Sequence, residues 1–126
     1  ATGEAMLAQR LVRRIGPDCR EDIRPSEDQI FDLGLTAEMV DNGKFFRGGG
    51  CESCNNTGYK GRVGLFELMV LDDELRDMIL NNKSSDELRT AAQKKGMVTL
   101  RDAGISFVFN GTTTLDEVIR ETILEA

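Results

Sequence analysis

The sequence predicts an α+β fold that is mostly helical, with irregular, strand-bearing structure first and helices after it. Three observations predict it. The first half is rich in glycine, which breaks its apolar stretches into short pieces. Residues 62–71, RVGLFELMVL, are apolar on both alternate faces. From Asp72 onward, apolar residues recur at helical spacing between repeated capping signals. A chain of 126 residues suffices for one modest domain or two small subdomains.

The elements follow in order. MLAQRLVRRI mixes apolar and basic residues; a helix is expected over residues 5–8 and a strand over residues 9–15, ended by Gly16-Pro17-Asp18. Pro25-Ser26-Glu27-Asp28 starts a helix carrying Ile30, Phe31 and Leu33. Thr36-Ala37-Glu38 starts a second short one that stops at Asn42-Gly43. Lys44-Phe45-Phe46-Arg47 reads as a short extended piece before three glycines. The strand at residues 62–71 has the pattern of one covered on two sides, and so short a chain does not supply all of that cover. Apolar exposure or self-association is therefore expected along this strand and along residues 6–15.

Four helices then follow. Asp72 caps one bearing Leu75, Met78 and Ile79. Ser84 and Glu87 form a capping-box pattern before Leu88, Ala91 and Ala92, and Gly96 ends that helix. Thr99 caps a helix with Leu100, Phe107 and Val108, stopped by Gly111. Thr114 and Glu117 repeat the box before Leu115, Val118, Ile119 and Ile123, spaced for one buried face. These apolar positions read as core.

The formal net charge is −6, with the acid excess in the second half and basic clusters in the first. An acidic chain argues against nucleic acid as the main partner, since phosphate neutralisation needs a basic face. No apolar run approaches the roughly 20 residues of a membrane span. Ala1-Thr2-Gly3-Glu4 lacks the basic start and apolar core of a secretory leader. An odd cysteine count, 3, does not close a disulfide framework, so a reducing cytoplasm is expected. The count of histidines is 0, which removes the commonest general base and the commonest metal ligand together. With no Ser-His-Asp set and no paired-carboxylate site, the chain alone does not read as an enzyme.

The stretch CESCNNTGYKGR concentrates what chemistry remains. Cys51 and Cys54 form a Cys-x-x-Cys turn, which places two thiolates on one ion without strain. A structural zinc clip needs a second such turn. The chain offers Gly16-Pro17-Asp18-Cys19, with glycine where the other cysteine would fall. Three readings stand open. Cys19, Cys51 and Cys54 bind zinc with a fourth ligand from water or from a carboxylate such as Asp18, Asp22 or Glu52. Alternatively, loss of one thiolate leaves reduced cysteines without metal. In the third reading Cys51 and Cys54 are a redox dithiol, although the βα context that depresses a thiol pKa is not evident. Gly58-Tyr59-Lys60-Gly61-Arg62 lacks the Walker A spacing. It reads either as a tight turn into the following strand or as a device presenting Arg62 to a phosphate or carboxylate.

Taken in order, AQRLVRRI, GPDCRE, CESCNNTGYKGRVGLFELMVLDDELRDMI, AAQKKGMVTLRDAG and GTTTLDEVIRET resemble the C-terminal part of the type II secretion and type IV pilus assembly ATPases. The block TGYKGRVGLFEL is the most specific part. The resemblance implies a cytoplasmic homo-hexameric motor that uses ATP and magnesium. Such a motor docks on an inner-membrane platform protein, peripherally at the membrane, and drives pilin or pseudopilin polymerisation. It further implies that residues 1–15 end a RecA-like core and residues 16–61 form a tetracysteine zinc-binding subdomain. Residues 62–71 are then a core strand and residues 72–126 a helical C-terminal subdomain. The phosphate loop and catalytic carboxylates would precede residue 1. The zinc ligands carry over to Cys19, Cys51 and Cys54 and fail at Gly16, and Arg62 is implied to lie near the nucleotide. The tetracysteine insertion favours the assembly or secretion branch over the retraction branch. The alternative of another class is a free-standing zinc-ribbon or redox adaptor.

Overall fold

A computed structural model describes residues 4–122. In chain order it contains β1 (Ala5–Ile15), β2 (Arg20–Asp22), α1 (Glu27–Leu33), α2 (Ala37–Asn42), β3 (Phe46–Gly48), a single 3₁₀ turn (Glu52–Cys54), β4 (Tyr59–Val70), α3 (Asp73–Leu80), α4 (Ser85–Lys94), α5 (Leu100–Phe109) and α6 (Leu115–Thr122). The α+β class holds, and helix is the larger share. Ile123, expected on the last helix, lies outside the described residues.

β1 and β4 form a long antiparallel pair running from Ala5↔Val70 to Arg13↔Arg62, with an irregularity before Ile15↔Tyr59. The helix expected at residues 5–8 is therefore absent: these residues are strand. Local composition is ambiguous there, and pairing with residues 67–70 decides the outcome by satisfying the backbone along the whole strand. β2 and β3 make a second, three-residue antiparallel pair, Arg20↔Gly48 to Asp22↔Phe46. The short helices start where their caps predict. Ser26 accepts from the Gln29 N–H, Thr36 from Met39, Asp72 from Leu75, Ser84 from Glu87 and Thr99 from Asp102.

Two apolar clusters hold the elements. One face of the β1–β4 pair packs on α5 through Val12, Leu65 and Leu100, joined by Ala8, Val63, Ala103 and Phe107. The other cluster draws Leu33, Leu35 and Phe45 from the first half onto Ile105, Val108, Leu115 and Val118 from the second. Phe45 and Phe109 meet there edge-to-face, centroids 5.6 Å apart. Phe31 points out of this cluster and is 85% exposed, while Leu33 on the same helix is buried. Ile79 on α3 is likewise exposed rather than core. The outer face of the strand pair carries Leu7, Leu11, Phe66, Leu68 and Val70, all exposed, so the anticipated apolar exposure is present. No helix among the described residues is long and apolar enough to cross a membrane.

Candidate metal centre

The backbone brings three distant turns to one place. The Gly16–Cys19 turn closes by the Cys19 N–H donating to Gly16 O at 3.3 Å, just after β1 ends. The β2–β3 pair returns the chain beside it, and the Gly49 N–H donates to Cys19 O at 2.9 Å. The 3₁₀ turn then carries Cys51 and Cys54. Gly48 and Gly58 touch backbone to backbone: a Cβ on Gly48 would stand 2.0 Å from Gly58 O, so no larger residue fits. That contact, with the Gly16 N–H donating to Gly58 O at 2.9 Å, folds the residue 51–58 loop back over the end of β1.

The result is a sulfur cluster. Cys54 Sγ lies 3.6 Å from Cys51 Sγ and 3.7 Å from Cys19 Sγ, and the three sulfurs all lie within 4.8 Å of one another. Sulfurs on a tetrahedral zinc at ~2.3 Å stand about 3.8 Å apart, so both short separations match edges of such a site. Asp18, Asp22 and Glu52 do not join: among the described residues the close-set group holds sulfurs and no carboxylate. Gly16 faces the cluster, since a Cβ built on it would lie 3.3 Å from Cys19 Sγ and 3.3 Å from Cys54 Cβ. The three sulfurs stand close enough to share one metal ion, and residue 16 beside them brings no side chain.

The electrostatics favour thiolate at Cys54 and oppose it at Cys19. Burial pushes the Cys54 thiol up, but the N–H groups of Cys51 (3.3 Å) and Gly58 (3.2 Å) stabilise its charged form, and the balance lowers it to about 6. At Cys19 the Gly50 N–H pulls the thiol down, while burial and the neighbouring sulfurs push it up and prevail. The donors from Gly50 and Gly58 had no signal in the sequence beyond the glycines themselves.

Arg62 belongs to a different place. It sits exposed on β4 opposite Arg13 and lines an open groove of about 790 Å³ with Leu11, Tyr59 and Arg120. Arg13 stacks its guanidinium 4.1 Å from the Tyr59 ring centroid. Behind it, buried Glu117 accepts from the Arg13 N–H at 2.7 Å, Arg13 Nη2 at 2.9 Å and Arg120 Nη2 at 2.9 Å. The groove thus gathers Arg13, Arg62 and Arg120 with Glu121, and Glu117 holds Arg13 and Arg120.

Similarity to known proteins covers the whole of this arrangement. The sequence model of the family described as "Type II/IV secretion system protein" matches residues 2–120. The chain belongs to this type II/IV secretion system protein family. Among its relatives, the type IV pilus assembly ATPase PilB of Thermus thermophilus is 42% identical over 118 residues, 94% of this chain and 13% of that protein. The protein of the same name in Myxococcus xanthus is 36% identical, over 93% of this chain and 21% of its own. Type II secretion system protein E of Pseudomonas aeruginosa is 39% identical, over 93% and 23%. The chain therefore spans less than a quarter of each of these type II/IV secretion relatives.

Proposed function

We propose that this chain serves as the C-terminal part of a motor ATPase of the type II/IV secretion family, a homo-hexamer powering type IV pilus assembly or type II protein secretion. The observation that carries this is the match over 94% of the chain to only 13% of the Thermus assembly ATPase. ATP and magnesium would be handled by the remainder of such a motor, since these residues contain no Walker A spacing. The chain's own role is structural. It completes the motor domain, supports contacts between subunits, and presents a surface to an inner-membrane platform protein on the cytoplasmic side. Arg62, at the groove with Arg13 and Arg120, lies on the nucleotide-facing side.

Within this reading Cys19, Cys51 and Cys54 hold zinc, which would tie the Gly16–Cys19 turn to the residue 51–54 turn. The same spacing in a redox dithiol would need no third sulfur, so Cys19 within 3.7 Å of Cys54 favours the metal.

The test is a graft. The matching segment of the Thermus assembly ATPase is replaced by this chain, and assembly and ATP hydrolysis are measured. Hexamers with preserved turnover support the reading. A graft that folds but neither assembles nor turns over ATP overturns it and leaves the adaptor, and ATP turnover by the 126-residue chain alone overturns its purely structural role.

A further inference from the structure

We propose that α3 and α4 form a rigid arm, latched to the strand pair by Arg89 on Glu67, that opens as a unit while the rest of the fold stays intact. It rests on neither the metal nor the motor reading.

The arm lies outside the core. Neither apolar cluster contains a residue of α3 or α4. α5 buries Leu100, Gly104, Ile105 and Val108, and α6 buries Leu115, Glu117, Val118 and Thr122. By contrast, α3 buries only Leu75 and α4 only Ala92. These two residues line, with Leu68, Val70 and Met97, an open cleft of about 320 Å³ beside the end of β4. A segment with so little buried apolar contact opens at a lower free energy than the whole chain unfolds.

Its ties are close within and sparse without. Lys95 Nζ reaches Asp72 at 2.8 Å and Glu74 at 2.9 Å, which joins the two helices at their base. Toward the body, Arg89 Nη1 donates to Glu67 Oε1 at 2.9 Å and to Oε2 at 3.1 Å. Glu67 is buried on β4 and also accepts from the Leu100 N–H at 3.0 Å, so the body holds the carboxylate in place. The ion pair of Arg76 with Glu4 is 4.0 Å long, and Arg76 Nε and Nη2 are buried without a hydrogen-bond partner. Unpaired buried N–H groups disfavour the closed form and are hydrated when the arm opens.

The arm leaves the strand pair after Leu71, whose N–H donates to Glu4 O at 3.0 Å, and returns through Gly96. Gly96 has φ +102°, and no atom beyond its chain neighbours lies within 4 Å of where a Cβ would stand. The turn is therefore free to change conformation without meeting the body. Opening bares Leu75 and Ala92 beside the exposed Leu68 and Val70, so the arm sets how far the apolar outer face extends.

Amide hydrogen exchange of the 126-residue chain, followed at increasing low concentrations of urea, is the test. Amides of α3 and α4 are expected to exchange at least roughly tenfold faster than those of α5 and α6. Their exchange should depend little on urea, because opening the arm exposes less surface than unfolding the chain. Val108→Ala weakens the core equally in the closed and open forms. It should speed α5 and α6 roughly tenfold and leave α3 and α4 unchanged. Arg89→Met keeps the aliphatic stem, removes the latch and should speed α3 and α4 roughly tenfold. If Val108→Ala fails to fold, the urea dependence of the wild type decides. Protection and urea dependence in α3 and α4 equal to those of α5 overturn the arm, as does equal acceleration of all four helices by Val108→Ala. Exchange in α3 and α4 unmoved by Arg89→Met overturns the latch.

Discussion

Glu117 buries its carboxylate, 2% exposed at the side chain, against the backbone N–H of Arg13 and the guanidinium groups of Arg13 and Arg120. Removing one member of a buried charge pair costs about 3–5 kcal/mol, and the partial exposure of both arginines places this site at the low end. Glu117→Ala is therefore expected to lower unfolding free energy by about 3 kcal/mol in urea titration. The Arg13 N–H is orphaned by the same change, so Glu117→Leu should not recover the loss. Sequence pattern marks Glu117 only as a capping-box residue, because its real partner lies on β1, 104 positions away. The cysteines are legible from spacing, since a Cys-x-x-Cys turn is local. Gly16 is legible as a gap in that pattern, and filling it gives a second prediction at this scale. Gly16→Cys should raise both zinc occupancy after purification and melting temperature, because the new Sγ enters the cluster without a forbidden φ. Unchanged occupancy and melting would mean that the turn does not present residue 16 to the metal.

Among the elements, α5 and α6 depend on a single close approach. A Cβ on Gly104 would stand 2.7 Å from Val118 Cγ1 and 2.9 Å from its Cγ2, so a methyl there presses α6 away from α5, while Leu65 at 3.4 Å is in ordinary contact. Gly104→Ala should destabilise by about 1–3 kcal/mol despite the better helix propensity of alanine. Adding Val118→Ala should return part of that loss in a double-mutant cycle. At the start of α3, Lys95 Nζ reaches Asp72 at 2.8 Å and Glu74 at 2.9 Å, tying the α3 N-terminus to the end of α4. Lys95 first, and then the Leu75 N–H, hold the Asp72 carboxyl below its usual range. A folded value below the unfolded one contributes stability above the ordinary carboxylate pKa of about 3.9, and that contribution is lost as pH falls through the folded value. Asp72→Asn keeps a capping acceptor but not the charge. It should unfold more readily than wild type at pH 7, with the gap closing in acid below about pH 4. The helices were legible because caps and stops act within four residues of each other. Residues 5–8 were not, because strand there is dictated by Glu67, Leu68, Met69 and Val70 across the pair. The β2–β3 pair escaped for a related reason: three residues carry no periodicity, and the glycine contact that seats it is non-local.

The molecule as a whole buries one face of its strand pair and leaves the other bare. Register puts Ala5 beside Val70, Leu7 beside Leu68 and Gln9 beside Phe66 on that outer face. Leu7 is 65% exposed, Val70 61%, Phe66 52% and Leu68 51%. Scattered exposed apolar residues are ordinary, but a cross-strand ladder of them is a surface that needs cover. In the proposed motor the rest of the motor domain supplies it. In the 126-residue chain alone a second copy is the available cover, because the same ladder on two molecules is self-complementary about a two-fold axis. Sedimentation equilibrium should show weight-average mass rising with concentration toward that of a dimer. Leu68→Lys places a charge in the middle of the ladder and should hold the chain monomeric. The monomer's unfolding should move by no more than about 1 kcal/mol, since Leu68 is half-exposed and only borders Leu75 and Ala92 across an open cleft. Leu65→Lys, one position outside the exposed set, should instead unfold the chain, because Leu65 is fully buried against α5. A wild type that stays monomeric to high concentration would mean that water tolerates this face, and the case that it packs against a missing part of a motor would lose its physical basis.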